Sequence, residues 1–294
     1  MPGTPRYCLT DMTADERLAV IGLRIERARK HLRELEGEVN AFLATEPYKV
    51  GVKRDPDTRR MIYYVTEVRD TPAPLGVIAG DVIHSARTAL DHLAYQLVLV
   101  GTGRPGPFKR VYFPIADSAV EYEAAKTKET TLMPAAAMAA IDALKPYRGG
   151  NDVLWRLHRL DDVDKHRVLL TVGSNFESVN VAPVVAPPPV GSAPDLTGSM
   201  EGSGWPPDKI ASVRELAAKM ALFSKPADRP FSLKVGAELL IDAPDAEPNP
   251  AIQFRLGVAL SEPSVIDGEP MVETLQAMIA TVEKVAVSFK ALLE

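Results

Sequence analysis

Between residues 84 and 95 the chain reads His-Ser-Ala-Arg-Thr-Ala-Leu-Asp-His-Leu-Ala-Tyr. Wound as a helix, at about 100° per residue, this segment gathers His84, Thr88, Asp91, His92 and Tyr95 into one arc of roughly 100°, with Arg87 about 40° beyond its edge. Val82, Ala86, Ala89, Leu90, Leu93 and Leu97 fall on the other side. An ordinary solvated face is made of Lys and Glu, good helix formers that cost little to leave in water. This one has neither. Two imidazoles, a guanidinium, a carboxylate and a phenol are the groups that move protons and stabilise developing negative charge. They are also the groups that build a buried polar network between helices, and both readings stand on the sequence.

A second set lies between Asp152 and Arg167. His158, Asp162 and His166 recur every four residues, within about 80° on one helical face that Trp155 shares. Two imidazoles and a carboxylate are a ligand set for zinc, iron or manganese, and His84 and His92 on a neighbouring helix would complete a bundle metal site. The competing arrangement pairs Asp161, Asp162 and Asp164 with Arg156, Arg159, Lys165 or Arg87, and leaves His166 hydrogen-bonded between helices. Asp164, Lys165, His166 and Arg167 fall where this helix is expected to end.

The segment Arg87-Thr88-Ala89-Leu90-Asp91-His92 matches the arginine, four residues, histidine pattern of the HEPN family, and its flanks resemble those helical domains. Many HEPN proteins are metal-independent ribonucleases in which two subunits build one site. The resemblance therefore implies an RNA-cleaving or RNA-binding homodimer that needs no cofactor. Arg87 would stabilise charge on phosphate, His92 would act as base or acid, and Asp91 would assist. His84, Tyr95, Asp164, Lys165, His166 and Arg167 would form the supporting network. Arg87 and His92 lie about 140° apart on a helix, so this reading depends on the second subunit. The wider chain is similar to uncharacterised bacterial proteins that pair an Ala-Leu-Asp-His-Leu helix with a later Asp-Lys-His-Arg segment, here residues 164–167. The alternative function is a non-enzymatic binding or sensory protein in which these polar groups are structural.

Other chemistries lack their residues. No Gly-x-Ser-x-Gly elbow, Cys-x-x-Cys pair or His-Glu-x-x-His appears, so acyl transfer, dithiol redox and zinc-protease roles are unmotivated. Gly101-Thr-Gly-Arg-Pro-Gly lacks a P-loop lysine. The single cysteine, Cys8, has no partner for an internal disulfide. A formal net charge of −5 provides no global attraction to nucleic acid or anionic lipid. Any such contact is local, with Lys53, Arg54, Arg59 and Arg60 the nearest thing to a basic patch. With no apolar run near the ~20 residues of a membrane span and no basic and apolar leader, a cytoplasmic protein without membrane contact is expected.

The elements that must position these groups follow from pattern. Leu18, Ile21, Ile25, Leu32, Leu35, Val39 and Phe42 recur at helical spacing, and Thr13 with Glu16 forms a capping box. A β-hairpin at 48–69 turns at Asp55 to Thr58. A second helix follows at about 77–100, then helices capped by Ser118, starting at Pro134, and capped by Asp152. Strands are expected at 168–172 and 178–181 around a turn at 173–175. The Pro/Gly-rich stretch 183–207 reads as a long loop and 209–222 as a helix. Residues 231–241 and 252–260 read as an antiparallel pair, and 271–293 as a closing amphipathic helix. The fold class is thus α+β: a helical bundle with an inserted β-hairpin and a small antiparallel sheet in the C-terminal half. Its expected segments are 1–167 for the bundle with its hairpin, 168–265 for the β region, and 266–294 for the helix returning to the bundle. The two polar sets are expected to approach each other in or at the rim of that bundle.

Overall fold

The computed structural model describes residues 12–129, 132–166, 170, 172–181, 231–250 and 252–294. The protein is α+β and divides into two units, one of Met1–Thr45, Thr71–Gly173 and Val258–Glu294, the other of Glu46–Asp70 and Ser174–Gly257.

In the first unit, α1 (Ala14–Leu43) begins at the expected capping box: Glu16 N–H donates to Thr13 Oγ1 at 3.3 Å, and Thr13 N–H donates to the Glu16 carboxylate at 2.8 Å. Ile21, Ile25, Ala28, Leu32, Leu35, Val39 and Phe42 are buried at three- and four-residue spacing. Burying each larger one contributes about 1.5–3 kcal/mol. One charge is buried with them. Arg17 Nη1 donates to Gln96 Oε1 at 2.7 Å and its Nε to the Met12 carbonyl at 3.2 Å.

Gln96 lies on α2 (Ala73–Thr102), which starts after Pro72 and ends where Gly103, at φ 61°, turns left-handed and donates its N–H to the Leu99 carbonyl. Ile83, Leu90, Leu93 and Leu97 are fully buried on it. It is followed by α3 (Ala119–Glu129), α4 (Ala135–Leu144) and α5 (Asp152–His166). Ser118 caps α3 as expected, its Oγ accepting from Glu121 N–H. For α5 the cap is Asn151, whose Oδ1 accepts from Leu154 N–H, while the expected Asp152 instead accepts from Gly149 N–H. The last helix, α6 (Met271–Ser288), passes into a 3-10 turn at Lys290–Leu292. Met271, Leu275, Met278, Val282, Val285 and Phe289 are buried along one side of the expected amphipathic helix. α2 packs against α1, α5 and α6, and α6 also against α1 and α5.

Seven strands are described. β1 (Tyr48–Arg54) and β2 (Arg60–Val68) form the expected antiparallel hairpin, from Tyr48 opposite Val68 to Arg54 opposite Met61. Asp55 holds its turn, accepting from the N–H groups of Asp57 and Thr58. Downstream the pattern misleads. The turn expected at 173–175 is instead inside one continuous strand, β3 (Val172–Val181). The segment 231–241 divides into β4 (Phe231–Ser232) and β5 (Glu238–Pro244) about Gly236, whose φ of 88° interrupts a strand. It does not pair with β6 (Ile252–Leu260). β5 extends the hairpin in the order β1-β2-β5, with Ile62 opposite Ile241. β6 lies between β3 and β7 (Glu269–Pro270) in the order β4-β3-β6-β7.

The second unit is built round that hairpin. Val65, Phe176, Leu233 and Leu239 make one apolar cluster and Met61, Tyr63 and Leu240 another. The β2–β5 pairing draws the hairpin into this unit, whereas the sequence pattern counted it with residues 1–167. Residues 183–207 and 209–222, together with Cys8, Arg167 and the side chain of His166, lie outside the described part. No helix among the described residues is long and apolar enough to cross a membrane.

Candidate functional site

Helices α2 and α5 of the first unit face each other along a polar seam, and most of the candidate residues lie on it. Its centre is Arg87. The side chain is only 6% exposed, and all three of its nitrogens donate: Nη1 to Asp91 Oδ1 at 2.5 Å, Nη2 to the Phe113 carbonyl at 2.9 Å, and Nε to His158 Nδ1 at a long 3.4 Å. Asp91 Oδ1 also accepts from Phe113 N–H at 2.9 Å. Arg87 and Asp91, one helical turn apart, thus grip both backbone groups of Phe113, a fully buried residue. A buried guanidinium needs such partners, since each unmade bond would cost its desolvation.

One turn earlier on the same face, His84 meets Asp161. Its Nδ1 lies 3.0 Å from Asp161 Oδ1, and Lys165 Nζ donates to Asp161 Oδ2 at 2.5 Å. The carboxylate is 3% exposed, the imidazole 53% and the Lys165 side chain 45%. Asp164, one turn of α5 beyond Asp161, is seated against Gly80 of α2. A Cβ at Gly80 would fall 2.3 Å from Asp164 Oδ1, so only glycine permits this approach. Burial and the nearby carboxylates of Asp161 and Asp81 push the Asp164 pKa up.

His158, accepting at Nδ1, carries its proton on Nε2. Burial, with the Arg87 charge beside it, pushes its pKa below the ordinary range. Asp162 pairs with Arg159 at 3.2 Å. Among the described residues no group of three His, Cys, Asp or Glu side chains is placed to hold a metal ion, and the proposed trio of His158, Asp162 and His166 includes a side chain that is not described.

His92 stands apart from this seam. It is half-buried, and burial followed by the Arg24 charge of α1 pushes its pKa down, against a smaller opposing pull from Asp91. Arg87 turns toward α5 and Phe113, while the charge acting on His92 comes from α1. Among the described residues no hydrogen bond joins the two residues of the Arg-x4-His pattern. Tyr95 packs its ring against Phe108, and its hydroxyl would meet a Cβ at Gly106.

The expected approach of the two polar sets is thus found, with two partners that pattern did not assign. Asp161 is the carboxylate that His84 uses, and Phe113 supplies backbone groups that no side-chain reading anticipates. Glycine in mid-helix at position 80 was the available signal for a close approach there. On the basic hairpin Arg59 pairs with Asp245 at 2.6 Å, Arg54 donates to the Arg59 and Ala246 carbonyls, and Lys53 stands over the Tyr64 ring. No family model, curated protein or solved structure matches this chain.

Proposed function

We propose that the protein is an HEPN-like RNA-cleaving or RNA-binding protein of the cytoplasm, acting as a homodimer without metal or cofactor. The observation that carries this reading is the convergence of proton-transferring and cationic groups, His84, Arg87, His158 and Lys165, on one seam between α2 and α5. Metal-independent cleavage of an RNA backbone asks for such groups: an imidazole to take the 2′-hydroxyl proton and fixed positive charge behind the phosphate. Because His92 and Arg87 leave α2 about 140° apart, the Arg-x4-His pair acts in this reading with a second copy. Incubating a mixed RNA pool with purified protein in excess EDTA tests the reading. Wild type is expected to cleave, and a double Arg87→Ala, His92→Ala variant is expected to be inactive. Equal cleavage by both would sink it.

A second reading is supported by a specific observation. Arg87 spends every donor nitrogen inside the protein, as a residue that ties α2 to α5 and to the 113 segment would. In that reading the protein is a non-enzymatic binding or sensory protein and the seam is scaffolding. An RNA pool left intact by wild type, with Arg87 variants that lose stability, is its expected result.

A further inference from the structure

Arg87 and His158 meet in a way that only the neutral imidazole allows. A guanidinium has donors and no acceptor, so the lone pair in this contact belongs to His158 Nδ1 and the ring hydrogen sits on Nε2. Any further proton must land on Nδ1, the atom that faces Arg87. It would replace the 3.4 Å hydrogen bond by two cationic donors pointing at each other inside the seam. The same guanidinium holds the Phe113 carbonyl through Nη2 and the Asp91 carboxylate through Nη1, and that carboxylate accepts from Phe113 N–H. A displacement of Arg87 therefore reaches both backbone groups of Phe113, whose ring is fully buried.

We propose that this contact is an acid-operated latch: a proton on His158 Nδ1 parts Arg87 from α5 and loosens the Phe113 segment that Arg87 grips. The charged groups around the ring set its balance. From α2 comes Arg87, with Asp91 behind it, while His84 is bonded to Asp161 and Asp81 acts on Asp164. From α5 itself come Arg159, Asp161 and Asp162, whose two carboxylates favour the proton. Both carboxylates have other partners, Asp161 in His84 and Lys165 and Asp162 in Arg159. Residues 111–116 carry no charged side chain, and Asp117 after them accepts from Trp155 Nε1. On α6, Glu273 and Lys284 are exposed and Glu283 pairs with Arg29; just before it, Glu269 pairs with Arg156. Burial and the Arg87 charge outweigh the carboxylates, so the ring is neutral and the latch closed at neutral pH. Acidification opens it, as histidine protonation does at other packed contacts.

The test follows the full-length protein by NMR between about pH 7.5 and 4.5. At neutral pH the nitrogen shifts of the His158 ring are expected to show hydrogen on Nε2 and none on Nδ1. Amide hydrogen exchange, corrected for its intrinsic pH dependence, should show the protection of Phe113 N–H falling below about pH 6.5, by up to about tenfold per pH unit, the limit that uptake of one proton sets. The amide of Leu32, on α1 and outside the contact, should hold its protection. His158→Asn keeps an acceptor near the Nδ1 position but does not titrate, so its Phe113 protection should stay level over this range. Where Asn unfolds the helix, His158→Gln serves the same purpose. His92→Gln should follow wild type. Hydrogen on Nδ1 at neutral pH, a Phe113 amide whose protection ignores pH, an equal loss at Leu32, or a fall that persists in the folded His158 variants each overturns the latch.

Discussion

Replacing Arg87 by Met probes the centre of the seam while keeping a long apolar stem, so that little cavity is added. The variant removes three donated hydrogen bonds and leaves Asp91, His158 Nδ1 and the Phe113 carbonyl to find other partners. Breaking a buried ion pair from one side costs about 3–5 kcal/mol. Asp91 is a quarter exposed and still receives Phe113 N–H, so water relieves part of its charge and the lower half of that range applies, about 3–4 kcal/mol. For a unit of this size each kcal/mol shifts Tm by roughly 2–4 °C, which places the variant about 6–16 °C below wild type. Asp91→Asn, which keeps an acceptor for Phe113 N–H but loses the charge, should cost about 1–2 kcal/mol. Because the two residues touch, the double variant should be less destabilised than the sum of the singles, by about 0.5–3 kcal/mol. Urea unfolding of the four proteins measures this cycle. Additivity within about 0.5 kcal/mol, or an Arg87→Met protein that melts with wild type, would show that the guanidinium does not hold the seam.

Burial lowers the pKa of both His92 and His158, so the folded state prefers the neutral rings. Their contribution to stability is full above about pH 6.5, the unfolded value, and is lost as the pH falls through the lower folded values. Tm should fall between pH 7.5 and 5.5, and less steeply in a His92→Gln, His158→Gln variant; an unchanged slope would refute the assignment. Asp164 has the opposite sign. Its raised pKa means that ionisation costs stability as the pH rises from about 4 upward, so Asp164→Asn should gain Tm relative to wild type at pH 8 more than at pH 4. Two glycines give a matched contrast. Gly22→Ala meets nothing within 4 Å on α1 and should add about 0.5–1 kcal/mol of helix propensity. Gly80→Ala, against Asp164, should instead cost about 1–3 kcal/mol, with Asp164→Ala relieving it. A stabilised Gly80→Ala protein in thermal unfolding would remove Asp164 from that position.

Much of the helical layer was legible from local chemistry. The capping box at Thr13 and Glu16, the stripe from Ile21 to Phe42, the glycines after α2 and the stripe from Met271 to Phe289 all act within a few residues along the chain, so periodicity reveals them. Strand partners are different. Nothing local to 238–244 says that it extends β2 rather than pairing with 252–260; that choice depends on which distant apolar faces, such as Val65, Phe176 and Leu239, bury each other. The site divides the same way. Spacing along α2 was enough to gather His84, Asp91 and His92 into one arc of a helix, with Arg87 beyond its edge. Tertiary structure alone decided that Arg87 would close on Phe113, 26 residues away, and that His84 would find Asp161, 77 residues away. A helix sets the angle at which a side chain leaves its axis. The partner waiting at that angle is set by packing, and the packing determines whether a titratable group is spent inside the protein or left facing solvent.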